Sequence, residues 1–147
     1  MTSDAVQFRR DFWTKYAELY PDDGVPLGYG RNDVRIPVES AGINVLLVLA
    51  NRGVRIGVRG RRGELHEESE PRIASLRESF HQAVGDAFAG RPNLSPLTEW
   101  KQAAGGFDAR RDFDAADREN WQYMAEWLHH MLHMYQKIIK NSLPQTS

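Results

Sequence analysis

The sequence contains no cysteine. This absence excludes disulfide-stabilised scaffolds, thiol-based redox catalysis and cysteine-ligated zinc sites. It is typical of a reducing compartment, so a cytoplasmic location is predicted. Lysine is scarce as well, because only 4 of the 19 basic residues are lysine and 15 are arginine. The positive charge of the chain is therefore carried mostly by planar guanidinium groups.

Long apolar runs are also missing. The longest run, residues 43–50, has eight residues and includes Asn44, whereas a membrane-spanning helix needs about 20. No membrane span is predicted, and the first residues lack the basic and apolar segments of a secretory signal. The 147 residues, 41% hydrophobic with a formal net charge of −1, are typical of a globular protein. We predict one domain over residues 1–147, with a structured core at about 4–143 and a frayed tail at 144–147.

The hydrophobic periodicity predicts an α+β fold. Some segments have the apolar spacing of amphipathic helices, and others alternate as strands do. The run at 43–50 is rich in branched residues, which predicts a central strand covered on both faces. The predicted order is α-β-β-β-α-(β-β)-α, with an antiparallel sheet of three to five strands packed against three helices. The predicted helices are 4–20, 71–89 and 117–141, and the predicted strands are 33–38, 43–50, 53–59, 94–100 and 107–113.

Clustered arginines are the most informative charged feature. Five of them lie within eleven residues that contain no acid. Phosphates are one candidate counter-charge, because the guanidinium fork matches their geometry. The alternative is neutralisation by the four glutamates between positions 64 and 70. We predict a nucleic-acid-binding surface that also extends to the last helix; its residues are Arg52, Arg55, Arg59, Arg61, Arg62, His133 and Lys137.

Three histidines of the last predicted helix, His129, His130 and His133, share one face of that helix. His129 and His133 are four residues apart, a spacing that can present two imidazoles to one zinc ion, with Glu126 as a third ligand. The apolar side chains of the helix occupy the opposite arc, which must form the core. The histidines are therefore predicted to face solvent beside Lys137. No metal site and no cofactor are predicted.

Residues 99–101, Glu-Trp-Lys, have the Glu-x-Lys form that restriction-type nucleases use to hold a metal ion. That chemistry needs a second carboxylate, usually on the preceding strand of the hairpin, and the predicted strands at 43–50 and 53–59 contain neither Asp nor Glu. Asp86 or Asp108 would complete the site only if the fold brought it to Glu99. We therefore predict no catalytic residues, and a metal-dependent nuclease using Glu99 and Lys101 is kept as an alternative.

Aromatic residues concentrate in the first and last predicted helices. Core packing is the default for aromatic residues at helical spacing. Phe12 and Trp13 are adjacent, however, so the two are not expected to point equally inward, and one is expected to line a groove or a subunit contact. Together with the near-zero net charge, this supports a second alternative, a protein-interaction or homodimerisation domain with no nucleic-acid contact.

Three groups of residues carry a family resemblance: Phe12-Trp13 with Tyr16; the predicted helix at 73–88, followed by Leu97 and Glu99-Trp100; and Asp117-Arg118-Glu119-Asn120-Trp121, which leads into Glu126-Trp127-Leu128. In these motifs the chain resembles the bacterial family known as domain of unknown function 4268. Members of that family often form the C-terminal part of larger proteins whose N-terminal domain is similar to restriction-type nucleases. The resemblance implies a non-catalytic accessory role near DNA cleavage or phage defence, with nucleic acid or a nuclease-like protein as partner.

Overall fold

A computed structural model describes residues 4–38, 41–50, 52–60, 63, 65–74, 76, 97–101 and 106–141. The elements of this part of the chain follow the order α-β-β-β-α-β-β-α, and a short 3-10 turn at Arg118–Asn120 leads into the last helix. None of the described helices combines the length and the apolar character needed to cross a membrane. The elements are α1 (Asp4–Leu19), β1 (Asp33–Val38), β2 (Ile43–Ala50), β3 (Gly53–Gly60), α2 (His66–Ala74), β4 (Leu97–Lys101), β5 (Gly106–Asp112) and α3 (Trp121–Asn141).

The strands form one sheet in the order β1-β2-β3-β5-β4. Every neighbouring pair is antiparallel. The predicted α+β class and the antiparallel sheet are confirmed, whereas the predicted arrangement of the elements is matched only in part. The hydrophobic periodicity does not predict the order of the strands in the sheet. The last strand, β5, lies between β3 and β4, so residues about 55 positions apart become direct neighbours.

Strand β2 lies inside the sheet, between β1 and β3. Its side chains are buried on both faces, Val45 and Leu47 on one and Leu46 and Val48 on the other. The prediction of a central strand covered on both faces is therefore confirmed. The face that carries Val45 and Leu47 belongs to the main core, which also contains the apolar side chains of α1 and α3.

Helices α1 and α3 are joined by aromatic contacts. The rings of Phe8 and Phe12 meet the ring of Trp121 edge-to-face, at centroid distances of 5.3 and 5.6 Å. The expectation that Phe12 or Trp13 lines an open groove is wrong, because both side chains are fully buried. Trp13 is covered because the chain after α1 folds back over it, and its indole N–H donates to the carbonyl of Arg31 at 2.8 Å.

A proline and a capping aspartate lie near the starts of helices α2 and α3. Helix α2 starts at His66 rather than at the predicted residue 71, so Pro71 lies inside it and removes one backbone donor. The predicted continuation of this helix to residue 89 falls outside the described residues. Before α3, the Asp117 side chain accepts a hydrogen bond from the Glu119 amide at 3.1 Å and caps the 3-10 turn.

Candidate functional site

The structure brings arginines from two strands together. Arg55 on β3 is the direct cross-strand partner of Arg110 on β5, and both side chains are exposed. Partners of this kind have Cβ atoms about 4.5–5.5 Å apart on the same face of a sheet. With Arg52 and Arg111 they line a shallow depression of about 360 Å³ at the ends of β3 and β5. Arg111 is paired with Val54, so it points to the opposite face of the sheet from Arg55 and Arg110. We call Arg52, Arg55 and Arg110 the arginine surface.

Within the described part of the chain, the arginine surface has little compensation for its charge. Asp112 is the one acid among the described residues that line the depression. Among the side chains that the structure describes, no carboxylate lies within ion-pair distance of Arg52, Arg55 or Arg110. Arg111 lies over the ring of Phe113, with its guanidinium carbon 5.1 Å from the ring centre.

A glycine allows β3 and β5 to approach closely at this point. Gly53 has a φ of +134°, and a Cβ atom there would lie 2.6 Å from the Phe113 amide nitrogen. That amide donates a hydrogen bond of 2.8 Å to the carbonyl of Arg52. The glycine therefore permits the backbone contact that sets Arg52 beside the end of β5.

The predicted nucleic-acid-binding residues divide into three groups. Arg52 and Arg55 belong to the arginine surface. Arg59 is half-buried on β3, and its guanidinium donates to the carbonyl of Val58 at 2.8 Å, while Arg61 and Arg62 lie outside the described residues. The sequence analysis did not identify Arg110 and Arg111, because the alternation of residues predicts their strand but does not predict that this strand pairs with β3.

His133 and Lys137 are not brought to the arginine surface. Strand alternation sends Arg55 to the face opposite Val54 and Ile56. Those two side chains belong to the core that contains the apolar face of α3. Helix α3, with His133 and Lys137, therefore lies on the other side of the sheet from Arg55 and Arg110.

A second cluster connects the chain after α1 to α3. One oxygen of the Asp23 carboxylate lies 2.7 Å from His129 Nδ1, and the other lies 2.9 Å from His133 Nε2. The Tyr16 hydroxyl donates to the first of these oxygens at 2.7 Å. The Asp23 side chain is only 2% exposed, whereas those of His129 and His133 are 27% and 56% exposed. We call Asp23, His129 and His133 the Asp–His cluster.

Local sequence places each member of the Asp–His cluster. Helix α1 ends at Leu19, before Pro21, and the turn that follows carries Asp23 back toward the helices. His129 and His133 lie one turn apart on α3, so both imidazoles reach the same carboxylate. The ring of Tyr20 stacks on His129 at a centroid distance of 3.8 Å. The turn after α1 and the helix face are therefore held together by polar and aromatic contacts.

The hydrogen bonds determine the charge of the cluster. Burial of Asp23 opposes ionisation, but the bonds from His129, His133 and Tyr16 outweigh it and hold the pKa of Asp23 below its usual value of 3.8. Burial, and then the bond to Asp23, raise the pKa of Tyr16 above its usual range. Asp23 is thus an anion at neutral pH, and Tyr16 is a neutral donor.

The prediction that the three histidines face solvent holds for His130 and His133, whose side chains are 57% and 56% exposed, and is wrong for His129, which is 27% exposed. Helix α3 packs against α1 as well as against the sheet, so its contact arc is wider than its apolar side chains indicate. The His130 side chain lies 3.8 Å from Glu126. The sequence suggested Glu126 as the carboxylate beside His129 and His133. In the structure the carboxylate beside these two histidines is that of Asp23.

The Glu-x-Lys motif lies on β4, and its side chains fall outside those that the structure describes. The backbone register nevertheless makes Glu99 the direct cross-strand partner of Asp108 on β5. The sequence analysis named Asp108 as a residue that would complete the site if the fold brought it to Glu99, and this register makes the two positions neighbours. Arg110, two residues along β5, belongs to the arginine surface. The Glu99–Asp108 pair therefore lies beside that surface in the sheet.

Comparison with known proteins adds no relative: no family model, curated protein or solved structure matches this chain. The resemblance to domain of unknown function 4268 therefore stays a prediction.

Proposed function

We propose that this protein binds nucleic acid through the arginine surface, as an accessory module without its own catalysis. The observation that carries the proposal is the direct pairing of Arg55 with Arg110 across two strands. Like charges in such a pair repel each other. A phosphate backbone relieves that repulsion, because each guanidinium can donate two parallel hydrogen bonds to phosphate oxygens.

The shape of the surface favours contact with the nucleic-acid backbone over base recognition. Arg55 and Arg110 lie on adjacent strands, and Arg52 comes from the turn before β3, so the three charges are not confined to one strand. Phosphate contacts of this kind position a protein without reading sequence. We therefore expect binding that depends strongly on salt and only weakly on sequence.

The test is fluorescence anisotropy with labelled single-stranded and double-stranded DNA and RNA over a range of salt concentrations. The double variant Arg55→Ala/Arg110→Ala should bind at least tenfold more weakly, and its salt slope on duplex DNA should fall by roughly 2, about 1 for each lost phosphate contact. Lys137→Ala/Lys140→Ala is the matched control, since it removes the same charge from α3, across the sheet. Equal loss in the two double variants, or binding that ignores salt, would refute the proposal.

A second candidate, metal-dependent cleavage of nucleic acid, is favoured by the register that pairs Glu99 with Asp108. Two carboxylates on adjacent strands, with Lys101 on one of them, are the residue types that hold a divalent ion and orient water. Incubation of the labelled strands with Mg²⁺ or Mn²⁺ separates the two candidates. Cleavage that Glu99→Ala, Asp108→Ala and Lys101→Ala each abolish supports the nuclease, whereas binding without cleavage supports the accessory module.

A further inference from the structure

We propose that the Asp–His cluster is a binding site for one divalent transition-metal ion, with zinc as the ion it fits best. The cluster offers one carboxylate oxygen and two imidazole nitrogens, and these three atoms lie within 4.8 Å of one another. Two of its members lie one turn apart on α3, and the third comes from a turn more than 100 residues earlier. The site is independent of the proposed nucleic-acid-binding function.

The distances within the cluster are close to those of a coordinated ion. Tetrahedral zinc with bonds of about 2.0–2.1 Å separates its ligand atoms by roughly 3.3 Å. The nitrogen-to-oxygen distances are 2.7 and 2.9 Å. A metal bond at His129 Nδ1 or His133 Nε2 requires that the ring proton move to the other nitrogen of the same imidazole. With that change of tautomer, an outward movement of about half an ångström replaces the two hydrogen bonds with three metal bonds.

The donor set selects among metals. Imidazole nitrogens favour zinc, copper, nickel and cobalt, while calcium and magnesium prefer all-oxygen sites. Asp23 contributes one negative charge, so a doubly charged ion leaves the site with a net charge of about +1. Because His133 is 56% exposed, one side of the cluster is open to water. Zinc bound here would have three protein ligands and a water molecule.

The residues around the cluster orient its ligands. The Tyr16 hydroxyl donates to the Asp23 carboxylate at 2.7 Å and fixes its orientation. Tyr20 stacks on the His129 ring with an interplanar angle of 6°, which fixes the plane of that imidazole. Hydrogen-bonded and packed partners of this kind raise the metal affinity of their ligands. A solvated pair of histidines on a bare helix has neither.

The experiment is isothermal titration calorimetry of the full chain, stripped with a chelator, with Zn²⁺ as the probe. We expect one ion per chain. His133→Ala should weaken binding at least tenfold, and Asp23→Asn should do the same. His130→Ala is the matched control, since it removes a neighbouring exposed histidine of the same helix and should leave the affinity unchanged.

Two further measurements keep the result interpretable. Circular dichroism checks that each variant is folded, and His133→Ala is the primary variant because its half-exposed side chain can be removed with little loss of packing. Co²⁺ bound to the parent should show the visible absorption of a tetrahedral site with nitrogen ligands, and His133→Ala should lose it. Absence of stoichiometric zinc binding by the parent overturns the proposal. So does a loss of affinity in His130→Ala as large as that in His133→Ala.

Discussion

Replacing Asp23 with alanine removes the carboxylate that connects the turn after α1 to α3. Three donors lose their acceptor: the Tyr16 hydroxyl, His129 Nδ1 and His133 Nε2. Tyr16 is fully buried, so its hydroxyl gains no water in exchange. The imidazoles are 27% and 56% exposed, so they regain solvent hydrogen bonds.

The expected loss of stability follows from these exposures. A buried donor without a partner costs about 1–3 kcal/mol, and a hydrogen bond whose donor returns to water costs about 0.5–1.5 kcal/mol. For Asp23→Ala in the presence of a chelator, the free energy of unfolding should therefore fall by about 4 kcal/mol. In a domain of this size, that corresponds to a decrease in Tm of about 8–16 °C.

Tyr16→Phe should have opposite effects in two backgrounds. In the parent it removes a hydrogen bond to a charged acceptor and should cost about 1.5–3 kcal/mol. In Asp23→Ala it removes a buried hydroxyl that has lost its acceptor, and it should stabilise the protein by about 1 kcal/mol. This reversal of sign measures the coupling between the two side chains.

Urea denaturation followed by circular dichroism measures all four proteins of this cycle. The m-value should stay constant, which shows that the same surface is exposed on unfolding. If Tyr16→Phe cost the same in both backgrounds, the hydroxyl would not depend on the carboxylate. The assignment of stability to the Asp23 network would then be refuted.

Three further predictions concern stability. Gly53→Ala should cost at least about 2 kcal/mol in urea denaturation, because φ is +134° and a Cβ there would clash with the backbone of Arg111 and Phe113 at the end of β5. Gly28→Ala, with φ of +69° and open space around it, should cost about 1 kcal/mol. The pKa of Asp23 in the folded protein lies below its usual value of 3.8. The stability that the Asp23 carboxylate contributes is therefore present above about pH 4 and is lost as the pH falls through the folded pKa. The metal-free parent should thus lose stability in acid more steeply than Asp23→Asn. Arg118→Ala should cost less than about 1 kcal/mol, since its exposed guanidinium lies over the Trp121 ring at 4.5 Å from the centroid. Trp121→Ala should cost about 3–5 kcal/mol, because it removes a buried ring from the core.

Local patterns predict the parts of this fold that local chemistry determines. The alternating and apolar segments gave β1, β2 and β3 nearly to the residue, because side-chain burial follows strand period directly. Helix α1 was predicted because its apolar residues recur at helical spacing. The start of α2 was not, since Pro71 suggested a first helical turn and lies inside the helix instead.

The candidate sites depend on long-range pairing, which a single sequence does not contain. Arg110 faces Arg55 only because β5 joins the sheet beside β3. Asp23 meets His129 across 106 residues, and no local spacing predicts that contact. The helical wheel of α3 separated apolar from polar positions correctly, but His129, at the edge of the buried arc, is packed against Tyr20 and Asp23 in the turn after α1.

The two sites lie on opposite sides of the sheet, and this arrangement makes a last prediction. Helices α1 and α3 pack on the face that carries Val54 and Ile56, while Arg55 points away from it. An ion at the Asp–His cluster therefore touches no nucleic acid at the arginine surface. Coupling between the sites would need a part of the protein that adopts two conformations, with the metal ion and the nucleic acid each binding one conformation more tightly than the other.

The nucleic-acid affinity of the parent is measured by anisotropy, once with Zn²⁺ and once with a chelator. The two affinities should agree within about twofold, which is less than the smallest couplings usually called allosteric. A larger change that His133→Ala abolishes would contradict this independence and show that the sheet transmits the state of the cluster.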